Sequence, residues 1–332
     1  MVKNLQTKFS ILMPTYNRAD IISYAIESVL NQREKNFELL IVGDGCTDNT
    51  SQVVKKYLKD KRVKWFDFPK ALGFGYANRN KALRQARGKY IAFAAHDDIL
   101  FPDHLETLGK YLDENKDLDI VHSRTLWIDE SGVILPSPFN LLDKETFEYF
   151  MKSGNGIAAS NFIHRKELFN KVGYWNEKLE KNADWDMWKR IIKHSGKSGL
   201  AFEPKPTVFH FKAIWRTETN LYPAGLNTIA PYVKKNLDSL PAALKVRIPN
   251  GKTEQEVFSN KIAEEKGWLS EVREGCITLL DHMIQIQMPK MLEDVEAHKR
   301  WVVELQSTQG ILSFTRIKRF LKSLIQPKKS PN

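Results

Sequence analysis

Asp97 and Asp98 stand side by side after the apolar run Tyr90-Ile91-Ala92-Phe93-Ala94, separated from it only by Ala95 and His96. Carboxylates at the end of a buried strand, where apolar side chains would be the rule, can hold Mg2+ or Mn2+ and so neutralise a departing diphosphate. Taken alone, the pair serves equally well as a cap for a helix starting near Pro102. Asp44 lies between Gly43 and Gly45. Flanking glycines let a ligand approach the backbone, and the carboxylate can accept from a ribose hydroxyl or a base N–H, although an Asp-Gly turn explains the same residues. Asp184 sits in Asn182-Ala183-Asp184-Trp185-Asp186-Met187-Trp188. At helical spacing it shares a face with Trp188 and Met187, and a carboxylate beside aromatic surface suits general-base work. That stretch by itself favours the plainer role, Asp184 and Asp186 as favourable charges at a helix N-terminus. His210, between Phe209 and Phe211, reads as a histidine at the core edge whose imidazole could complete a metal site.

Such side chains need elements to hold them. Phe9-Ser10-Ile11-Leu12-Met13 has the pattern of a strand, 20–30 of an amphipathic helix, and Glu38-Leu39-Leu40-Ile41-Val42 of a second strand. Asp48, Asn49 and Thr50 offer N-cap chemistry for a helix ending near Lys59. A strand over 63–68, a helix over 76–86 and a strand over 90–94 follow. The rhythm predicts an α/β fold, a Rossmann-like, mostly parallel sheet flanked by helices on both faces. Ligands of such sheets bind at the carboxyl ends of the strands, which would bring Thr15 and Asn17, Asp44, and His96 to Asp98 to one edge. Further on, Asp129-Glu130-Ser131-Gly132 reads as a turn between strands, 144–152 as a helix, about 184–193 as another, and a strand ends near His210 and Phe211. From about Thr228 the composition is charged and helical. A boundary near residue 225 is expected, with one domain over 1–225 and a helical C-terminal extension over 226–332.

The chain has 332 residues, 42% of them hydrophobic, enough for a sizeable core. Its net charge of +11 calls for an anionic partner: nucleic acid, acidic lipid or a phosphorylated substrate. The basic residues are spread along helices and no nucleic-acid module is visible, so nucleic acid is not expected. Gly73-Phe74-Gly75 lacks a third glycine and follows the third strand instead of the first, which fails the dinucleotide fingerprint. Cys46 and Cys276 are far apart, with no His or Cys at ligand spacing, so neither a disulfide framework nor structural zinc is suggested. Residues 1–14 lack a signal-peptide pattern and no apolar run is long enough to span a bilayer. A cytoplasmic protein is the expectation.

In order along the chain, Pro14-Thr15-Tyr16-Asn17-Arg18, then Gly43-Asp44-Gly45-Cys46-Thr47-Asp48-Asn49-Thr50, then Asn78-Arg79-Asn80-Lys81-Ala82-Leu83, then Gly88 through Asp98 resemble the successive signatures of family 2 glycosyltransferases. Asp184-Trp185-Asp186-Met187-Trp188 with Arg190 is similar to that family's later Glu-Asp motif, so the resemblance covers about 8–215. It implies a GT-A fold, a nucleotide-diphospho-sugar donor, a divalent cation (Mn2+ or Mg2+) and inversion at the anomeric carbon. By position it implies that Thr15 and Asn17 line the nucleotide pocket, that Asp44 meets the base or ribose, and that Arg79 and Asn80 support the donor site. Asp97 falls on the metal-binding Asp, Asp98 is grouped with the donor-binding residues, Asp184 falls on the base that deprotonates the acceptor, and His210 falls roughly on a further metal or diphosphate contact. Three positions depart from the pattern: Gly43 where Asp is frequent, Ala95 in place of the first Asp of Asp-x-Asp, and Ala183 in place of the Glu before the base. With Asp97 and Asp184 retained, an active enzyme is expected over a catalytically inactive sugar-nucleotide-binding protein.

A glycan or lipid-linked acceptor is expected to meet the surface between 152 and 175 and near Trp215, Arg216 and Tyr222. Between 311 and 329, Phe314, Ile317, Phe320, Leu321, Leu324 and Ile325 fall on one arc of a helix, with Arg316, Lys318, Arg319 and Lys322 on the rest. This is the layout of a helix lying in an anionic membrane interface on the inner face of the cell membrane, or of one packing on the protein's own core or a second subunit.

Overall fold

The computed structural model describes residues 6–129, 131–211, 233 and 236–282. The segment 311–329 and the residues Trp215, Arg216 and Tyr222 lie outside them. The first half of the fold alternates as expected: β1 (Phe9–Thr15), α1 (Ile22–Leu30), β2 (Phe37–Asp44), α2 (Thr50–Lys55), β3 (Val63–Phe68), α3 (Tyr76–Leu83) and β4 (Tyr90–Phe93). These four strands form a parallel set in the order β3-β2-β1-β4. The second half is mixed: β5 (Ile99–Leu100), α4 (His104–Glu114), β6 (Ile120–Ile128), β7 (Ile134–Pro136), α5 (Lys144–Lys152), β8 (Phe162–Arg165), α6 (Phe169–Val172), α7 (Ala183–Ser195) and β9 (Leu200–Phe211). It extends the sheet as β8-β6-β9-β5, with β7 paired to β6. Two helices follow, α8 (Glu254–Glu264) and α9 (Trp268–His282). The compact unit built on this sheet ends at Thr278.

Strand periodicity explains the layers. Leu12, Leu40, Val42, Ile91 and Phe93 share a core with Leu83 of α3, Phe150 of α5 and Trp188 of α7. The alternate residues Ile11, Met13, Leu39 and Ile41 pack with Ile22 and Ile26 of α1 and Leu105 of α4. Every position of β2 is buried, as befits a parallel strand covered on both faces.

Helix α2 stops at Lys55, short of the expected Lys59, because the chain tightens into turns, with the Lys56 and Tyr57 N–H groups donating to the carbonyls three residues back. Its first turn is satisfied by Asp48, whose Oδ1 accepts from the Thr50 N–H at 3.0 Å. Arg273 of α9 ties that helix to the sheet, donating to both oxygens of Asp103 at 2.9 Å and to the Pro206 carbonyl at 3.0 Å. Among the described residues no helix is long and apolar enough to cross a membrane.

Candidate active site

The carboxyl ends of β1, β2 and β4 meet, as parallel neighbours must. Asn17, in a left-handed conformation after β1, accepts from the Thr47 N–H at 2.8 Å and donates to Thr47 Oγ1 at 3.1 Å. The next peptides continue the seam, Arg18 N donating to Thr50 Oγ1 and Ala19 N to Asp48 Oδ2. His96 bonds the Pro14 carbonyl through Nδ1 at 2.9 Å, joining the end of β4 to β1. Thr15 Oγ1 is buried at this junction without a partner.

Asp44 is 5% exposed and its oxygens are committed. It accepts from Asn78 Nδ2 at 2.7 Å and from the Ala71 N–H at 2.9 Å, and it pairs with the Lys70 ammonium. The carboxylate lies against Gly75, whose φ of +74° opens α3. A Cβ there would fall on the Asp44 carboxyl group, so glycine is required by both conformation and space. Asp44 thereby holds the 70–78 segment at the carboxyl end of β2. Gly43, where the family often has Asp, faces the Trp65 indole, and a Cβ would come within 2.9 Å of its Cζ2. The aromatic ring has taken the place of a side chain.

Arg79 is acted on electrostatically by both Asp44, expected at the nucleotide's base or ribose, and Asp184, expected as the catalytic base. Its guanidinium covers the rings of Tyr76 and Trp175 at 4.9 and 5.0 Å and donates from Nη2 to the Phe74 carbonyl, while Nε is buried without a partner. Burial pulls its pKa below the ordinary value, against the opposing pull of Tyr76, Asp184 and Asp44. Asn80, one residue on, points inward: it donates to the Trp175 carbonyl and to Glu177 at 2.8 Å and accepts from the Trp175 N–H. Trp175 is itself only 3% exposed and stacks on Tyr76, so its ring serves packing instead of an acceptor surface.

Asp98 is wholly enclosed. Its Oδ2 accepts from Ser160 Oγ at 2.5 Å and its Oδ1 meets His210 Nδ1 at 2.7 Å. Ser160 Oγ also accepts from the Ala95 N–H at 2.9 Å, so one hydroxyl pins the loop where the family's first Asp is missing. A carboxylate behind Nδ1 fixes the imidazole tautomer and orientation, as it does behind ligating histidines. The His210 ring meets Trp127 edge-on at 4.4 Å across β6 and β9. Asp97 differs from its neighbour: its side chain is partly exposed, and the nearest cation candidate is His96 Nε2 at 3.9 Å.

Asp184 and Asp186 also part company. Asp186 pairs with Arg190 Nε at 2.9 Å, one turn along α7, and that guanidinium donates onward to the carbonyls of Val172 and Tyr174. No described residue engages the Asp184 carboxylate by hydrogen bond or ion pair, and Tyr76 and Arg79 interact with it only electrostatically. Tyr76 Oη accepts from the Ala183 N–H at 3.4 Å, steadying the helix start. Trp188, one turn after Asp184, is fully buried against Phe93 and Phe162 at 4.9 and 4.8 Å and anchors α7 to the sheet. Ala183, which replaces the family's Glu, is also wholly buried.

The donor set fits a cation that arrives with a diphosphate. Among the described residues no group of three or more His, Cys, Asp or Glu side chains forms a ready-made cage. Mg2+ and similar ions in phosphate sites need only one or two carboxylates, the remaining positions going to phosphate oxygens and water, and Asp97 offers one at a strand end. Trp127 and Tyr76 are absent from the sequence reading of the site, and Ser160 and Trp175 enter it only as part of the expected 152–175 acceptor surface. Their partners lie far away in the chain, and nothing local marks them.

The fold is that of a GT-A glycosyltransferase. Residues 10–173 match the family model described as Glycosyl transferase family 2, and the chain belongs to that family. It is 38% identical over 199 residues to an uncharacterised glycosyltransferase of Methanocaldococcus jannaschii, covering 58% of this chain and 68% of that protein. It is 32% identical over 230 residues to an uncharacterised glycosyltransferase of Rickettsia conorii, covering 68% of this chain but 37% of that protein. The crystal structure of S. aureus TarS 1-349 in complex with UDP-GlcNAc superposes with a TM-score of 0.50 and 18% identity, over 84% of this chain and 92% of that one. At that identity the likeness shows the fold. The protein is a transferase enzyme that moves sugars.

Proposed function

We propose that the enzyme transfers a sugar, with inversion, from a nucleoside-diphosphate sugar to an acceptor hydroxyl on a glycan or lipid-linked molecule. The observation that carries this reading is which acids are left uncommitted. The carboxylates of Asp44, Asp98 and Asp186 are each bound to partners within the fold, whereas those of Asp97 and Asp184 are not engaged by any described residue at hydrogen-bond distance. Asp184 takes the acceptor proton as the acceptor oxygen attacks the anomeric carbon; the bond from that carbon to the diphosphate oxygen breaks, and the nucleoside diphosphate leaves. Asp97 would hold a divalent cation, Mn2+ or Mg2+, whose chemistry there would be to neutralise the diphosphate. Arg79 adds positive charge on the donor side, Thr15 and Asn17 border the nucleotide, and Asp44 and Asn80 keep the pocket walls in place. Asp98 acts through His210, which it aims. The nucleotide sugar held by S. aureus TarS is consistent with this donor class.

The same reading places catalysis within 1–225 and gives 226–332 a supporting part, with the segment 311–329 attaching the enzyme to the inner face of the membrane. Flotation with liposomes of rising anionic-lipid content, comparing the full chain with one ending at Gln309, tests that attachment; equal behaviour of the two at low salt rules it out. The central test is a donor screen that follows released nucleoside diphosphate with Mn2+ and after EDTA. Asp97→Ala is expected to remove transfer and weaken donor binding without unfolding the protein. Full activity of a folded Asp97→Ala enzyme in EDTA would refute the assignment, and release from no donor at all would turn the reading to a sugar-nucleotide-binding protein.

A further inference from the structure

Helix α8 lies outside the residues matched to the family, yet it touches the site at two places. Gln255, buried in its first turn, donates from Nε2 to the backbone carbonyl of Asp97 at 3.2 Å. Phe258, one turn along on the same face, packs edge-on against Phe209 at 4.9 Å and Phe211 at 5.2 Å. Those two rings flank His210 in β9. One helix face thus braces both the Asp97 peptide and the strand segment that carries His210.

The helix is itself well seated. Thr253 Oγ1 accepts from the Glu256 N–H at 3.1 Å, a side-chain N-cap that fixes the turn containing Gln255. Lys252 pairs with Glu256 across that cap, and α8 packs against α1. A buried primary amide is costly unless bonded, so a glutamine at this contact, where a leucine would pack, points to the bond it makes.

We infer that Gln255 is a positioning residue: by holding the Asp97 carbonyl it sets how the Asp97 carboxylate meets the cation and diphosphate, so a helix beyond the family domain tunes metal and donor affinity. This rests on the reading of Asp97 as the cation-holding residue.

The test titrates Mn2+ onto the full chain in the presence of UDP and, separately, GDP, following water-proton relaxation, with Tm recorded for every protein. Gln255→Leu keeps the volume and removes the donor; Gln255→Glu keeps the shape and turns an oxygen toward the carbonyl. Both are expected to raise the half-saturating Mn2+ concentration about tenfold, as loss of a supporting partner does in metal sites, with Tm within a few degrees of wild type and donor KM affected more than kcat. Wild-type Mn2+ affinity in both variants, or a loss that only follows a fall in Tm, overturns the inference. Asp97→Ala, measured alongside, separates the two levels: if it abolishes Mn2+ binding while the Gln255 variants keep theirs, the Asp97 reading stands and the brace falls. If Asp97→Ala binds Mn2+ as wild type does, both fall.

Discussion

His210 Nδ1 lies 2.7 Å from Asp98 Oδ1, and the carboxylate that aims the ring is itself held by Ser160 at 2.5 Å. Removing the carboxylate takes the acceptor from the buried Ser160 hydroxyl and the orienting partner from His210 Nδ1, and a buried polar group left unsatisfied costs about 1–3 kcal/mol. Asp98→Ala is therefore expected to lower stability in urea unfolding by a few kcal/mol and to lower activity further than Ser160→Ala does. A stability equal to wild type would show that the ring needs no such support.

Asp184 and Asp186 sit two residues apart in one helix turn and are predicted to behave differently. Asp184→Asn should reduce kcat by roughly 10²- to 10⁴-fold with little change in donor affinity. Asp186→Asn should lower Tm through the lost Arg190 pair while retaining most turnover. The reverse pattern would exchange their roles. NMR of the product should show the anomeric configuration opposite to the donor's, since one activated hydroxyl implies one in-line displacement.

Gly75→Ala should be among the more damaging small substitutions near the pocket. The added methyl meets the Asp44 carboxyl, and φ at +74° resists any side chain. A loss of more than about 1 kcal/mol in stability is expected, with weakened nucleoside diphosphate binding in calorimetry. An unchanged Tm would mean that the 70–78 segment relaxes freely.

Acid should weaken the fold well above the carboxylate range. Burial pulls His104 and His122 down to about 3 and His164 to about 4, from 6.5. Below pH 6.5 the unfolded chain binds protons that the folded chain refuses, so this stability is complete above 6.5 and is lost as pH falls toward 4. Three such sites approach a slope of about 4 kcal/mol per pH unit, from ~1.4 each. Carboxylates held low by their partners, such as Glu38 and Asp103, act in the same direction but at lower pH. Urea midpoints between pH 7.5 and 5 should fall steeply, and His164→Gln should reduce the slope by about a third. A flat profile would mean that these rings take up protons in the folded state.

The alternation of β1 to β4 with α1 to α3 is legible in the residues because apolar period and capping are local properties, satisfied within a few positions of one another. The strand-end placement of Thr15, Asp44 and Asp97 follows from it, since parallel strands must put their carboxyl ends together. The residues alone give Asp184 and Asp186 the same part as charges at a helix N-terminus, and the structure separates them by pairing Asp186 with Arg190. The insertion of β8 between β4 and β6 is not legible, because strand order depends on which apolar faces find each other after the chain has turned back. Nor is the fate of each carboxylate. Asp44 is claimed by Lys70 and Asn78, Asp98 by Ser160 and His210, and the Asp97 peptide by Gln255. Residue type determined that these groups must be satisfied when buried. Only tertiary structure decided by whom, because a hydrogen bond between residues far apart in sequence depends on the whole path of the chain between them.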